Sequence, residues 1–255
     1  MNRIQYIFRE RNKKVIPFLT AGYPRKDDSL EMVLAAESAG ASMVEIGMPF
    51  SDPLADGPII QKSSQIALNN GVTLSWILRL VSDIRKQSDI PLVLMGYVNP
   101  IMKFGLENFL IECSSMGVDG LIVPDLPPEE GGDYIVMAKE KNISPILLVA
   151  PNTPANRINQ ISILSRDLIY CVSILGVTGN FNSANHDIAK YMKRVKENSE
   201  CPYVVGFGIE DNRDVISINK HAHGAVVGSA IIKMIENSTD PIGVVEKYVR
   251  SLIGE

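Results

Sequence analysis

The sequence predicts a (β/α)8 barrel, because short apolar runs alternate with helical patterns about eight times along its 255 residues. The runs are almost continuously apolar, as in parallel strands that are covered by helices. Most of them begin about 22 to 34 residues apart, which is the length of one strand–helix unit. The predicted strands are residues 15–20, 43–47, 92–95, 120–123, 146–150, 169–172, 203–206 and 225–228.

Helical patterns occupy the segments between these strands. Apolar residues recur at intervals of three and four along residues 74–84 and along residues 106–116, which is typical of amphipathic helices. Residues of the N-cap type precede three helical patterns, and proline follows two of them. The predicted N-caps are Thr73, Thr153 and Asp240. The start of the chain predicts an extra helix, with Ile4, Ile7 and Phe8 on one side, that closes the bottom of the barrel.

A doubly wound sheet is the competing architecture. Such a sheet carries its glycine-rich phosphate loop directly after the first strand. Here the first strand is followed by Thr20-Ala21-Gly22-Tyr23-Pro24, and the glycine-rich turns come late in the chain, which favours the barrel. No linker or change of composition divides the sequence, so we expect residues 1–255 to form one domain.

Composition and charge exclude several classes of protein. Lys and Arg number 25 against 29 for Asp and Glu, a net charge of −4, so we expect no nucleic-acid partner. No apolar run reaches the roughly 18 residues of a membrane span, and charges interrupt the first residues too early for a signal peptide. The three cysteines are widely spaced, which indicates a reduced, cytoplasmic (or organelle-interior) protein. His221 and His223 have no third ligand nearby, so we expect no metal site.

Glycine-rich turns follow the sixth, seventh and eighth predicted strands and indicate a phosphate site. They are Gly176-Val177-Thr178-Gly179, Gly206-Phe207-Gly208-Ile209 and Gly228-Ser229-Ala230. Barrel enzymes commonly bind a substrate phosphate between the loops after strands seven and eight, at the N-terminus of a short helix. Residues 230–235 fit such a helix, whose free N–H groups and the Ser229 hydroxyl would donate to the anion. The alternative is that each glycine only serves a turn.

Two carboxylates near the second predicted strand are the candidates for chemistry. Glu45 lies within an apolar strand and, by alternation, shares a face with Met43 and Gly47. Since Gly47 leaves an opening beside it, we expect Glu45 to point into the pocket, to have a raised pKa and to exchange a proton near neutral pH. Asp56 lies on the following loop, near the face where barrel sites assemble. The alternatives are a buried ion pair for Glu45 and a solvated loop for Asp56.

The segment after the second strand resembles the sequence signature of the tryptophan synthase α subunit family. It runs Glu45-Ile46-Gly47-Met48-Pro49-Phe50-Ser51-Asp52-Pro53-Leu54-Ala55-Asp56-Gly57-Pro58. The resemblance covers essentially the full chain, through residues 17–22, 97–100, 120–127, 176–179, 206–209 and 228–230. It implies a (β/α)8 lyase of tryptophan biosynthesis that splits indole-3-glycerol phosphate into indole and glyceraldehyde 3-phosphate by a retro-aldol reaction. That reaction uses no cofactor.

The resemblance also implies roles for individual residues. Glu45 matches the acid/base that moves protons at indole C3 and at the glycerol hydroxyl, and Asp56 matches the aspartate on the indole N–H side. Tyr170 matches the tyrosine beside the catalytic glutamate, and Thr178 matches a threonine that contacts the catalytic aspartate. Phe18 and Ile122 match residues that line the indole pocket. The phosphate cradle corresponds to Gly179, Gly208, Gly228 and Ser229.

The family further implies a partner, the β subunit of an α2β2 complex, which makes tryptophan from indole with its own pyridoxal phosphate. Asp52 and Pro53 lie where the family's loop meets that subunit. One departure is Ile174-Leu175 before Gly176, where some members have Arg-Ser, and this change concerns the anchoring of a closing loop. Two other functions remain open: a weakly catalytic subunit that mainly activates its partner, and a related phosphosugar isomerase or synthase. The retained Glu45, Asp56 and Tyr170 favour the lyase over the first of these, and the long signature over residues 45–58 is evidence against the second.

Overall fold

A single sheet of parallel strands forms the centre of the computed structural model, which describes residues 2–10, 12, 14–172, 181–206 and 208–254, with the backbone alone for residues 181–187. The strand order is β5-β4-β3-β2-β1-β9-β8-β7-β6. The strands within the described residues are β1 (Val15–Thr20), β2 (Val44–Gly47), β3 (Leu92–Met95), β4 (Gly120–Ile122), β5 (Ser144–Pro145), β6 (Leu147–Val149), β7 (Ile169–Val172), β8 (Tyr203–Gly206) and β9 (Gly224–Val227).

The two strands at the ends of this order, β5 and β6, together form the fifth strand of the barrel. β5 and β6 flank Ile146, whose N–H donates to the Leu121 carbonyl of β4 at 2.9 Å. Pro145 has no N–H to contribute to the ladder, and the strand is divided beside it. β5 pairs with β4 while β6 pairs with β7, so the sheet closes on itself. The predicted barrel is therefore confirmed, although the fifth strand begins at Ser144 rather than at Ile146.

Helices surround the barrel, and α1 lies at its amino-terminal end. Within the described residues they are α1 (Arg3–Ile7), α2 (Asp28–Ser38), α3 (Pro58–Asn69), α4 (Leu74–Arg85), α5 (Val98–Phe104), α6 (Leu106–Met116), α7 (Gly132–Glu140), α8 (Ala155–Ser165), α9 (Phe181–Asn198), α10 (Asn212–Asn219), α11 (Ser229–Glu236) and α12 (Pro241–Ile253). None of these helices is long and apolar enough to cross a membrane.

Two of the three predicted N-caps are confirmed. The Thr73 side chain accepts the Trp76 N–H, and the Asp240 side chain accepts the Gly243 N–H with proline following it. The prediction for Thr153 is wrong, because α8 has Pro154 as its N-cap. The Thr153 hydroxyl instead accepts the Ala150 N–H at 2.9 Å and closes the turn after β6.

Alternation along the strands divides the buried side chains into two layers. Val44 and Ile46 of β2 pack among the outer residues beneath the helices, whereas Met43, just before β2, belongs to the interior of the barrel. Ile4 of α1 is fully buried in this interior layer, so the predicted plug at the bottom is confirmed. Glu45, between Val44 and Ile46, is thereby directed inward, toward the carboxyl ends of the strands.

Candidate active site

A cavity of about 170 Å³ opens at the carboxyl ends of the strands and collects most of the predicted site. The predicted residues that line it are Phe18, Glu45, Asp56, Tyr170, Gly208, Gly228 and Ser229. Ile122 is buried in the interior layer, and its partner across the sheet, Met95, lines the cavity instead. Thr178 and Gly179 lie outside the described residues. Asp52 is exposed and Pro53 is buried, both on the loop between β2 and α3.

A larger cavity of about 810 Å³ lies at the opposite face, among the amino ends of β1, β8 and β9. It contains none of the predicted site residues. Its buried amine, Lys14, already donates to the Glu10 carbonyl at 2.7 Å and to the Asn12 side chain. The functional face of a barrel is the one at the carboxyl ends of its strands, so the smaller cavity is the candidate active site.

Glu45 projects from β2 into this cavity with only 2% of its surface exposed. Its Oε1 atom has no hydrogen-bond partner among the described residues, and no ion pair within them involves Glu45, which counts against a structural ion pair. Burial, and secondly the negative charge of Asp56, raise the pKa of Glu45 from 4.5 to about 8. Glu45 is therefore a neutral acid near pH 7 and can donate a proton.

Asp56 approaches the same cavity from the loop between β2 and α3. It is half-buried rather than solvated, and burial raises the pKa of its carboxyl group. A hydrogen bond from the Tyr97 hydroxyl opposes that rise, because it favours the ionised carboxylate. The Asp56 N–H donates to the Pro53 carbonyl at 3.1 Å, so the backbone of the loop turns at this point. The two carboxyl groups are close enough for the charge of one to raise the pKa of the other.

Tyr170 reaches the cavity from β7 and is 7% exposed. Burial, followed by the charges of Glu45 and Asp56, raises its pKa well above the ordinary value, so the phenol stays neutral. Its hydroxyl lies against Gly206 of the neighbouring β8, where an added Cβ atom would come within 1.9 Å of the Tyr170 oxygen. Glycine at position 206 is thus required by the tyrosine.

Phe18 of β1 forms an apolar wall between the two ends of the cavity. Its ring covers Gly47 of β2, where a Cβ atom would lie 2.4 Å from the Phe18 Cζ atom. The Phe18 Cβ atom is 3.7 Å from the position of a Cβ atom on Gly228. One end of Phe18 therefore adjoins the strand of the carboxyl groups and the other adjoins the late glycines.

The opposite end of the cavity is a candidate anion site, because a helix begins there. α11 begins at Ser229 with Gly228 as N-cap, and no described side chain caps its first N–H groups. In α10, by contrast, Asp211 accepts the N–H groups of Arg213 and Asp214. Gly228 and Ser229 line the cavity, so the uncapped end of α11 presents backbone donors and the positive end of the helix dipole to it. The predicted helix after Gly228 is confirmed.

Sequence reasoning missed Tyr97 as part of the site. Tyr97 follows β3 and is 5% exposed, and its hydroxyl contacts both Ala55 and Asp56. The available signal was a polar aromatic residue directly after a predicted strand, at the end where the site was expected. The described residues contain no group of three or more His, Cys, Asp and Glu side chains that could hold a metal ion.

The fold and the cavity together define a (β/α)8 barrel whose apolar pocket has two carboxyl groups at one end and the uncapped N-terminus of α11 at the other. Residues 5–252 match the family model of the tryptophan synthase alpha chain. The tryptophan synthase alpha chain of Petrotoga mobilis is 42% identical over 250 residues, which cover 98% of this chain and 96% of that protein. This chain belongs to the tryptophan synthase alpha chain family.

Solved structures agree with this assignment. The crystal structure of tryptophan synthase subunit alpha from Legionella pneumophila matches with a TM-score of 0.92 and 31% identity, covering 99% of this chain and 97% of that one. A tryptophan synthase complex from Pyrococcus furiosus contains a chain that matches with a TM-score of 0.88 and 37% identity, covering 96% of this chain and 99% of that one.

Proposed function

We propose that this chain is a carbon–carbon lyase that cleaves indole-3-glycerol phosphate into indole and glyceraldehyde 3-phosphate. The observation that carries the proposal is the presence of two carboxyl groups, Glu45 and Asp56, in one cavity of a barrel of this family. Retro-aldol cleavage needs an acid that protonates the indole ring and a base that accepts the proton of the glycerol hydroxyl. The raised pKa of Glu45 fits it for both steps.

Glu45 enters the reaction as the neutral acid and gives its proton to C3 of the indole ring. The protonated ring is an electron sink, and Asp56, ionised on the N–H side, stabilises the positive charge. The Glu45 carboxylate then accepts the proton of the glycerol hydroxyl as the carbon–carbon bond breaks. The bonding electrons return to indole, the hydroxyl carbon becomes the aldehyde, and Glu45 is again protonated. The protein therefore returns to its starting state without any added reagent.

The remaining predicted residues fit the two ends of this substrate. Phe18 and Tyr170 would contact the indole ring, with Tyr170 beside the catalytic glutamate. Gly208, Gly228 and Ser229 would hold the phosphate through backbone N–H groups and the serine hydroxyl. Gly208 has φ +66, a conformation that glycine adopts at no steric cost. The roles of Ile122, Thr178 and Gly179 in binding the substrate stay predictions.

We also propose that the chain works as the α subunit of a complex with a tryptophan synthase β subunit. One related structure is described as a tryptophan synthase complex and another as the a2b2 complex, both from Pyrococcus furiosus. The loop after β2 supports a partner here, because Asp52 is exposed and the adjacent Leu54 side chain is 94% exposed. Asp52 and Pro53 are the proposed contacts, of which Asp52 is the exposed residue and Pro53 is buried in the isolated chain. The pyridoxal phosphate of the complex would belong to the partner.

The deciding experiment measures indole released from indole-3-glycerol phosphate, with and without the β subunit. Glu45→Gln keeps the shape of the side chain but removes the transferable proton, so we expect the rate to fall by about 10²-fold or more. Glu140→Gln, at an exposed acid at the end of α7, is the matched control and should keep the full rate. An inactive wild type in the presence of β subunit would exclude the lyase and leave the activating subunit. Full activity of Glu45→Gln would exclude Glu45 as the acid.

A further inference from the structure

The Tyr97 hydroxyl is shared by two adjacent residues of the loop that carries Asp56. Its oxygen accepts the Ala55 N–H at 3.0 Å, and the hydroxyl lies close enough to the Asp56 carboxylate to lower the pKa of that group by hydrogen bonding. Tyr97 stands at the N-cap position of α5, directly after β3, so it belongs to the neighbouring strand–helix unit. One side chain thus connects the loop after β3 to the loop after β2 at the acid–base end of the cavity.

Tyr97 is itself held on two sides. Its ring lies 5.5 Å from the ring of Phe50, centroid to centroid, which fixes the ring against the loop after β2. The N–H of the next residue, Val98, donates to the Asp125 carboxylate at 3.0 Å, which fixes the backbone against the loop after β4. A buried tyrosine with these restraints can present its hydroxyl in one direction.

The Tyr97 hydroxyl is a strong hydrogen-bond donor that keeps its proton. An oxygen that already accepts a hydrogen bond donates its own proton more strongly. Burial, and the charges of Asp56 and Asp125, raise the pKa of Tyr97, so the phenol keeps its proton throughout the working pH range. A hydrogen bond donated to a carboxylate stabilises the ionised form, and that is the form in which Asp56 is required.

We propose that Tyr97 is a positioning residue, which orients the Asp56 carboxylate toward the indole N–H through a direct hydrogen bond while the Ala55 N–H orients the hydroxyl. This inference rests on the proposed function of Asp56. Tyr97 acts through Asp56 and takes no proton itself. The loss of its hydroxyl should therefore change only the pKa of Asp56 and the reaction steps in which Asp56 takes part.

Several other titratable groups lie near Asp56, and their charges could also change its pKa. Glu45 from β2 and Tyr170 from β7 face it across the cavity, Glu210 lines the same cavity beyond β8, and Asp125 lies behind Tyr97. Glu45 and Tyr170 both have raised pKa values and are neutral below pH 7. In that range the hydrogen bond from Tyr97 is the interaction that lowers the pKa of Asp56, against burial, which raises it.

The test is Tyr97→Phe, which keeps the ring and its contact with Phe50 but removes the hydroxyl. The chain is labelled with ¹³C at its aspartate carboxyl carbons, and the signal that Asp56→Asn removes is followed through a pH titration. We expect the Asp56 midpoint to rise by about one pH unit in Tyr97→Phe. The acidic limb of the kcat/KM profile for indole release should move upward with it.

Tyr134→Phe is the matched control, because Tyr134 is also buried and its hydroxyl donates to the Leu121 carbonyl outside the cavity. It should leave the Asp56 midpoint and the pH profile unchanged. In the Asp56→Asn background, Tyr97→Phe should cause no further loss of rate, since the two residues act as one unit.

The possible results separate this inference from the proposed function. A wild type that releases no indole with its partner removes the proposed function, and the titration of Asp56 still tests the contact. An active wild type whose Tyr97→Phe variant keeps both the Asp56 midpoint and the pH profile overturns the role of Tyr97. A variant that loses rate with an unchanged midpoint overturns it as well, because that result indicates a structural effect only.

Discussion

Glu45→Gln should stabilise the folded chain at alkaline pH, even though it removes the proposed acid. Glu45 is buried with an unpartnered oxygen, and its pKa in the folded chain is about 8 rather than the ordinary 4.5. Folding therefore favours the protonated form of this carboxyl group. Glutamine is neutral at every pH and has nearly the same shape, so the variant avoids the free energy of ionising a buried acid.

The size and sign of the effect follow from the two pKa values. Below pH 4.5 the carboxyl is protonated in the folded and the unfolded chain, and Glu45 contributes no pH dependence. Between pH 4.5 and about 8 only the folded chain holds the proton, so stability falls by about 1.4 kcal/mol for each pH unit. Above that range the full loss, on the order of 5 kcal/mol, is reached. At pH 7 the expected loss is about 3 kcal/mol.

The assay is urea unfolding of the isolated chain, followed by circular dichroism at pH values from 4 to 9. The difference in stability between Glu45→Gln and wild type should grow steadily in favour of the variant as the pH rises from about 5 to 8. Glu140→Gln removes the same charge from the surface and should give a difference that barely changes with pH. A difference for Glu45→Gln that stays constant across this range would refute the argument, since Glu45 would then have an ordinary pKa.

Two further predictions concern the wall of the cavity and the opposite, amino-terminal face of the barrel. Gly206→Ala places a Cβ atom 1.9 Å from the Tyr170 oxygen, so the rate of indole release should fall at least tenfold and the free energy of unfolding by about 1–3 kcal/mol. The control is Gly132→Ala, whose added Cβ atom meets open space and should change the rate and the stability little. Asp119→Asn leaves the nearly buried Arg85 without its ion pair, so urea unfolding should show a loss of about 3–5 kcal/mol, against less than about 1 kcal/mol for Asp89→Asn at an exposed partner of Arg3. A mild Gly206→Ala, or equal losses at positions 119 and 89, would contradict these accounts.

The fold was predictable because a closed parallel barrel has a simple sequence pattern. Four strands, β1, β3, β7 and β8, begin and end at the predicted residues. The inward direction of Glu45 followed from alternation alone, since strand geometry leaves a side chain only two faces. The prediction was wrong where a different local interaction formed in place of the expected one. Thr153 has the chemistry of an N-cap, but its hydroxyl bonds a turn N–H instead, and Pro145 interrupts the ladder of the fifth strand.

The site was predictable only in part, because its geometry depends on contacts between loops that are distant in sequence. Glu45 and Asp56 are separated by a single loop, and both were found. The contact from Tyr97 to Ala55 spans 42 residues and depends on the register of β2 against β3. No local sequence pattern predicts a contact over that separation. Tyr97 was therefore recognised only as part of the motif at residues 97–100, and not as a neighbour of Asp56.

The aromatic walls of the cavity show why the acid can be buried at all. Phe18 of β1 lies over Gly47 of β2, and Tyr170 of β7 lies over Gly206 of β8, so each ring occupies the space that a side chain of the next strand would have filled. Both rings line the cavity beside Glu45, which is 2% exposed, and this burial is the first cause of its raised pKa. A solvated glutamate would be almost fully ionised at pH 7 and could not protonate carbon. The instability expected at alkaline pH and the proton available at neutral pH therefore have one physical origin, and a substitution that opens either wall should reduce both together.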